Sequence, residues 1–282
     1  MTMEIRYGKA RVVFFLTRRR PARPFAAAVD VDVFGERFKA SYTDGDNREV
    51  VATDTMKNFV YATAADFTGE SLEAYVAFLG RRLLTTYPQM ERIRVTAREV
   101  PLDPGHQVDG QSDVIFAMTR SDGAVAHADF ARDTGGITMS HARSGIEGMR
   151  LFKTTGSSFA AFARDGYTTL PELTDRPLTI RMDVHWEYGD IADAAAEGRG
   201  HISSELVRDA LELTYHDVNS RSIQELVHQM GQRLLKGFPS LAAVEFSAEN
   251  HTPDKVAEGK DDVRVFAEPR QTFGKIGLVL RR

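Results

Sequence analysis

Cysteine is missing from all 282 residues. That excludes disulfides, thiolate nucleophiles, cysteine-held zinc and iron–sulfur clusters together, and it points to a cytoplasmic protein. Long apolar runs are missing too. The only candidate near the start, Val12 to Leu16, is too short for a signal segment and leads into Thr17 and an arginine run. No stretch approaches the length of a membrane span, so no membrane partner is expected. Neither sign of charge dominates, with 36 Lys and Arg against 40 Asp and Glu, and this gives no electrostatic reason to expect nucleic acid. The local cluster Arg18, Arg19, Arg20 and Arg23 reads as a solvated hairpin turn. Histidines are scattered without HxH or HExxH spacing, so no metal site can be drawn. A GxGxxG turn after a strand, a Walker loop and a GxSxG elbow are equally absent. Neither metal nor nucleotide cofactor is expected.

What is present is a globular balance, 42% apolar and 27% charged, and an internal match. SLEAYVAFLGRRLLTTYPQMERIRVTARE, from Ser71 to Glu99, aligns without a gap to SIQELVHQMGQRLLKGFPSLAAVEFSAEN, from Ser222 to Asn250. Leu72, Tyr75, Val76, Leu79, Leu83 and Leu84 form a helical stripe matched by Ile223, Leu226, Val227, Met230, Leu234 and Leu235. Pro88 and Pro239 stop both helices at the same point, because proline cannot continue the backbone ladder. A strand follows in each, with Ile93, Val95 and Ala97 in one and Val244, Phe246 and Ala248 in the other.

Upstream, Val12 to Thr17 and Phe25 to Thr43 read as a long antiparallel hairpin. Asp30 and Asp32 share one face of it and read as solvated carboxylates. Val51 to Ala64 reads as a helix with Thr53 or Asp54 as its N-cap. Further strands are predicted at Val114 to Met118, Val125 to Phe130, Ile137 to His141 and Leu178 to Glu187, with a turn at Gly135-Gly136 and a helix from Ser203 to Tyr215. The chain is therefore an α+β protein of two ββααββ halves, 1–140 and 141–282, each with its helices on one face of an antiparallel sheet. No Pro/Ser-rich linker separates them.

Four segments resemble the urate oxidase (uricase) family. They are Tyr7-Gly8-Lys9; Gly45-Asp46-Asn47 with Val50 to Asn58; Lys153 through Thr154, Ser157, Phe159, Phe162, Tyr167, Thr168, Thr169, Leu170 and Asp175 to Arg176; and Ser222-Ile223-Gln224, Asn250-His251-Thr252 and Glu268-Pro269-Arg270 before Phe273-Gly274. The resemblance implies a tandem tunnelling fold whose homotetramer encloses a tunnel and shares each active site between two subunits. It also implies the reaction: urate, O2 and water give 5-hydroxyisourate and hydrogen peroxide, with no cofactor. A non-catalytic purine-binding relative is the alternative.

The resemblance assigns roles residue by residue. Phe159 stacks on the purine, a contact worth about 1–3 kcal/mol. Arg176 and Gln224 grip its edge, since a guanidinium fork and an amide match a polar heterocycle in plane. Taken alone, Arg176 would pair with neighbouring Asp175 and Gln224 would be an ordinary exposed helix position. Lys9 and Thr53 form a proton relay, which requires the lysine pKa to fall from about 10.4. Asp54 offers a backbone N–H at a helix start, Asn250 holds O2 or water above the purine, and Ile223 and Ile276 close the pocket. The third relay member is Thr252 or His251, and the Asn250-His251-Thr252 order is closer to bacterial members. Pro253 stands where related chains carry Trp, and Ala160-Ala161 where an aromatic residue and glycine are common. Within the internal match Glu73 faces Gln224 and Glu99 faces Asn250. The second segment thus carries neutral amides where carboxylates would repel an anion.

Overall fold

The computed structural model describes residues 3–18, 23–261, 263–269 and 271–282. Arg19 and Arg20 of the basic cluster and Arg270 of the last motif lie outside the described residues. The chain divides into two compact units, 1–145 with 187–201, and 146–186 with 202–282.

In order, the chain forms β1 (Arg6–Leu16), β2 (Phe25–Phe34), a 3-10 turn (Glu36–Phe38), α1 (Lys39–Thr43), α2 (Thr53–Ala64), α3 (Leu72–Thr86), β3 (Arg92–Glu99), β4 (Asp103–Gln107), β5 (Gly110–Ala117), β6 (Gly123–Asp133) and β7 (Gly136–Lys153). Then come β8 (Leu178–Tyr188), α4 (Ile191–Ala194), α5 (Ser204–Asp217), α6 (Ile223–Gly237), β9 (Leu241–His251), β10 (Lys255–Glu258), β11 (Arg264–Phe266) and β12 (Gly274–Arg281). This is an α+β architecture. In the first unit β1, β2, β3 and β6 are antiparallel neighbours in that order. In the second, β9 pairs antiparallel with β12.

The matching segments fold alike. Ser71 caps α3 by accepting the Ala74 N–H at 3.1 Å, and Ser222 caps α6 by accepting that of Glu225 at 3.1 Å. At the other end the N–H of Tyr87 reaches Leu83 and that of Phe238 reaches Leu234, one residue before each proline. α3 packs on β3 and β6, and α6 on β9 and β12. Leu79, Leu83 and Leu84 of α3 are fully buried, each worth roughly 1.5–3 kcal/mol over exposure. Close packing explains a glycine in each helix: a Cβ on Gly80 would collide with the Phe130 ring, and one on Gly231 would lie 2.5 Å from Leu280.

Several sequence expectations need correction. The second hairpin strand ends at Phe34, well before Thr43. Gly35, at φ 149°, breaks the extended run, and Glu36 to Thr43 coils so that Phe38 is buried while the Ser41 hydroxyl donates to the Phe38 carbonyl. The first strand starts earlier than Val12, at Arg6, and is interrupted by a bulge at Arg11, which sits at φ 55°. Asp30 is no idle solvated carboxylate: it accepts the Arg11 N–H at 2.7 Å and an Arg98 N–H at 2.8 Å, pinning the bulge. The described arginines of the basic cluster are not simply solvated either. Arg18 donates to the carbonyls of Phe67 and Gly69, and Arg23 to that of Leu102. α2 begins at Thr53 and is capped by Ala52, with no side-chain cap from Thr53 or Asp54.

Candidate active site

In the first unit the elements carrying Lys9 and Thr53 are tied by Tyr7. Its hydroxyl accepts the Val51 N–H at 3.3 Å, just ahead of α2, and its ring meets Phe38 edge-on at 5.0 Å. Burial pushes the Tyr7 phenol pKa up, and the hydrogen bond it accepts from Val51 opposes that shift. Gly8 lets the strands close, since a Cβ there would strike the Val31 carbonyl. Lys9 follows, half-buried and in register with Val31, immediately before the bulge. Bulges re-aim side chains beside sites.

Ala52 at the cap leaves the first-turn N–H groups of α2 without a side-chain acceptor, because the helical ladder starts only with Met56 donating to Ala52. Thr53 is exposed, and no hydrogen bond claims its hydroxyl among the described residues. The Asp54 carboxylate turns along the helix to Lys57 at 2.5 Å and Asn58 at 3.0 Å. Lys57 above all, with Asn58 and then Lys9, holds its pKa below the usual carboxylate range. A helix start with unclaimed amides favours an anion.

The second unit gathers most of the remaining residues from three segments. Ser157 and Ser220 form a parallel bridge, with the Ser158 N–H donating to Ser220 at 2.8 Å and the Ser220 N–H to Gly156 at 3.1 Å. The Arg176 N–H donates to Ser157 at 2.8 Å, and Phe159 and Leu173 exchange backbone bonds. Phe159, Arg176 and the residues leading to Gln224 are thereby laced together. Ile223, the first residue of α6, is buried, and Gln224 after it is exposed.

Arg176 does not pair with Asp175. The residue is 7% exposed, its guanidinium carbon lies 5.7 Å from the Phe159 ring centroid, and its buried Nε has no hydrogen-bond partner among the described residues. Burial without a counter-charge pushes its pKa down. Asp175 instead accepts from the Thr155 hydroxyl at 2.8 Å and the Gly156 N–H at 2.9 Å, with Arg264 at 3.6 Å. Those contacts, the Thr155 hydroxyl first, hold its carboxyl pKa low. Phe162 stacks on Phe159 at 4.9 Å with planes 10° apart. Ala161 between them sits at φ 58°, the left-handed conformation that glycine adopts without strain.

Asn250, next to last in β9, lies opposite Gly274, and Ile276 pairs with Ala248. The Thr252 hydroxyl donates to the Asn250 side-chain oxygen at 3.1 Å. His251 is engaged elsewhere, 2.9 Å from Glu249 and with its ring against Phe273 at 4.9 Å. Of the two candidates for the third relay position, Thr252 is the one held against Asn250.

Sequence reasoning missed the Ser157–Ser220 bridge and the service of Asp175. Polar residues in a loop carry no signal of which backbone they will meet. Among the described residues no group of three or more His, Asp or Glu side chains could hold a metal. No helix among them is long and apolar enough to cross a membrane.

The uricase family model matches residues 6–124 and 142–277. The chain is 40% identical to a uricase of Haloferax volcanii over 89% of its own length and 84% of the relative's. It is 35% identical to a uricase of Halalkalicoccus jeotgali over 95% of each chain. A crystal structure of a uricase from Bacillus fastidious superposes with a TM-score of 0.91 at 33% identity, covering 98% of this chain and 93% of the other. With its motif residues laced around a buried arginine, and with this likeness along nearly its whole length, the chain belongs to the uricase family.

Proposed function

We propose that this protein oxidises urate with O2 and water to 5-hydroxyisourate and hydrogen peroxide, without metal or flavin. The observation that carries the reading is Arg176, a buried arginine beside an aromatic ring with no carboxylate to answer it among the described residues. A buried charge is costly unless paired, and a planar anion supplies the missing partner. In this reading urate stacks on Phe159, and Arg176 and Gln224 hold its edge through in-plane hydrogen bonds. The backbone N–H of Asp54 meets it at the start of α2, where no side chain caps the helix. Lys9 and Thr53 take a proton from urate, with Thr252 as third member of the relay. The resulting electron-rich anion passes electrons to O2, which Asn250 holds above the ring. Water supplies the oxygen added to the purine, and O2 leaves as hydrogen peroxide. Ile223 and Ile276 close the apolar wall.

The reading includes a tandem duplicated tunnelling fold, units 1–140 and 141–282, acting as a cytoplasmic homotetramer with sites shared between subunits. Duplication is supported by the equivalent caps, prolines and glycines of α3 and α6. Assembly is supported by apolar side chains left exposed on β1 and β12, Phe15 at 75% and Val279 at 47%.

The test is to incubate metal-stripped protein with urate while following urate absorbance, oxygen uptake and peroxide together. One O2 consumed and one peroxide formed per urate is the expected result. Purine binding with no consumption of urate would overturn the catalytic reading in favour of a purine-binding relative, and sedimentation of the same sample reports the assembly.

A further inference from the structure

The three laced segments of the second unit also meet at a half-buried cation, Lys153, that the proposed reaction does not use. Lys153 ends β7, a few residues before Phe159. Its ammonium group donates to the carbonyl of Val218 at 2.8 Å and to that of Tyr215 at 3.3 Å, and it lies 5.0 Å from the centroid of the Tyr215 ring. Those carbonyls close the C-terminal end of α5, where orphan C=O groups and the helix dipole favour a cation. The chain then runs through Ser220, the bridge partner of Ser157, to Ser222 and Gln224. Tyr215 is itself fixed, donating its hydroxyl to the Leu178 carbonyl at 2.7 Å. The charge of Asp175, clamped to Thr155 and Gly156 and next in sequence to Arg176, is near enough to act on Lys153.

We propose that Lys153 is a positioning residue for the purine: one ammonium group fastens the arm bearing Phe159 to the helix end that leads to Gln224, and so sets the spacing between the stacking ring and the edge-reading amide. This rests on the reading of Phe159 and Gln224 as substrate contacts. The geometry explains why the group is lysine. A single compact donor must reach two carbonyls of one helix end from a neighbouring strand, over the face of an aromatic ring. Burial lowers the Lys153 pKa, and the nearby Asp175 carboxylate opposes that shift. The groups facing the ammonium from the packed elements are thus two carbonyls, one ring and one carboxylate.

The role separates from stability in steady-state kinetics. Lys153→Gln keeps an N–H donor but loses the charge and the reach to both carbonyls. It is expected to raise the KM for urate about tenfold and leave kcat within about twofold, because the relay residues Lys9 and Thr53 belong to other elements. Lys153→Arg, which can span both carbonyls, is expected to bring KM back to within about threefold of wild type. A purely structural lysine would do the reverse, lowering apparent kcat through loss of folded protein at unchanged KM, and that pattern would overturn the proposal. Amide exchange reads the tether without substrate. Protection at Ser158 and Ser220 should fall in Lys153→Gln while the core of α6 keeps its own. Unchanged protection overturns the proposal whether or not the protein consumes urate. Lost protection in a protein that never turns urate over would leave the tether standing and fall on the urate reading instead.

Discussion

α3 with β3 and α6 with β9 share their caps, their stop signals and their close-packed glycine, yet their polar residues have opposite fates. Glu73, in the first turn of α3, is 9% exposed and lies 3.4 Å from His201. Gln224, at the same place in α6, is exposed, and no hydrogen bond claims its side chain among the described residues. Glu99 accepts from Arg120 at 3.1 Å and from the Ala124 N–H at 3.0 Å, whereas among the described residues only the Thr252 hydroxyl meets the Asn250 side chain. Acids in the first segment are consumed by structure, and amides in the second are left available. Reinforcement differs as well. Glu225 in the first turn of α6 accepts from the Arg221 backbone and side chain, a capping arrangement for which Ala74 in α3 has no counterpart. On the proposed reading, two segments of like build would differ in use, the one whose amides stay unclaimed reading the edge of the purine.

The contrast can be broken most severely through the relay. Lys9→Met is expected to reduce kcat by about 10²–10⁴-fold, the usual worth of a positioned acid–base group, with binding of a non-oxidisable planar purine within about twofold. A parallel loss of purine binding in calorimetry would move Lys9 from relay to grip. Next comes Arg176→Met. Purine affinity should fall by about 3 kcal/mol, since a charge-assisted contact is lost, while the empty protein gains about 1 kcal/mol of stability on losing an unpaired buried charge. A fall in melting temperature of the ligand-free variant would show that Arg176 is satisfied without ligand. The third test exchanges the two segments. Gln224→Glu gives α6 the carboxylate of α3 and should weaken urate binding by about 2 kcal/mol through like-charge repulsion. Glu73→Gln, the reverse change, should cost only about 1 kcal/mol of stability at unchanged KM. If both variants bind urate as wild type does, the difference between the segments carries no specificity.

The smallest effect is in acid. Arg221 holds the Glu225 pKa down to about 2, well below an ordinary glutamate. A carboxylate depressed in the folded state contributes stability above its unfolded pKa and loses it as pH falls through the folded value. The first turn of α6 should therefore loosen between about pH 4 and pH 2, by less than about 1 kcal/mol because the pair is screened by solvent. α3, lacking that pair, should show no matching step. Amide exchange across that range checks this, and equal loosening of both helices would remove the capping pair as the cause.

The helix–strand segments could be read from sequence because their signals are local: a stripe of period 3.6, a serine before it and a proline after it. β4 was unreadable, since Pro104 and Gly105 in Asp103–Gln107 argue against any strand. Glu36 to Thr43 misled because Phe38, Ala40 and Tyr42 alternate as a strand would, and only Gly35 marks the break. The bulge at Arg11 has no local signal, being fixed by Asp30 on the next strand. At the site, residue types were visible through the family resemblance, but their pairing was not. Arg176 and Asp175 are neighbours in sequence and would be expected to neutralise each other. Successive side chains diverge, and the Thr155–Gly156 turn claims the carboxylate.

On the proposed reading, that separation makes the melting temperature of this protein a readout of occupancy. A ligand that meets the lone guanidinium binds the folded chain and not the unfolded one, so at a hundred times its Kd it adds about 2.7 kcal/mol to stability. Resistance to heat and to proteolysis should then rise with the supply of purine anion, and a thermal-shift titration with a non-oxidisable purine would measure the site without any turnover.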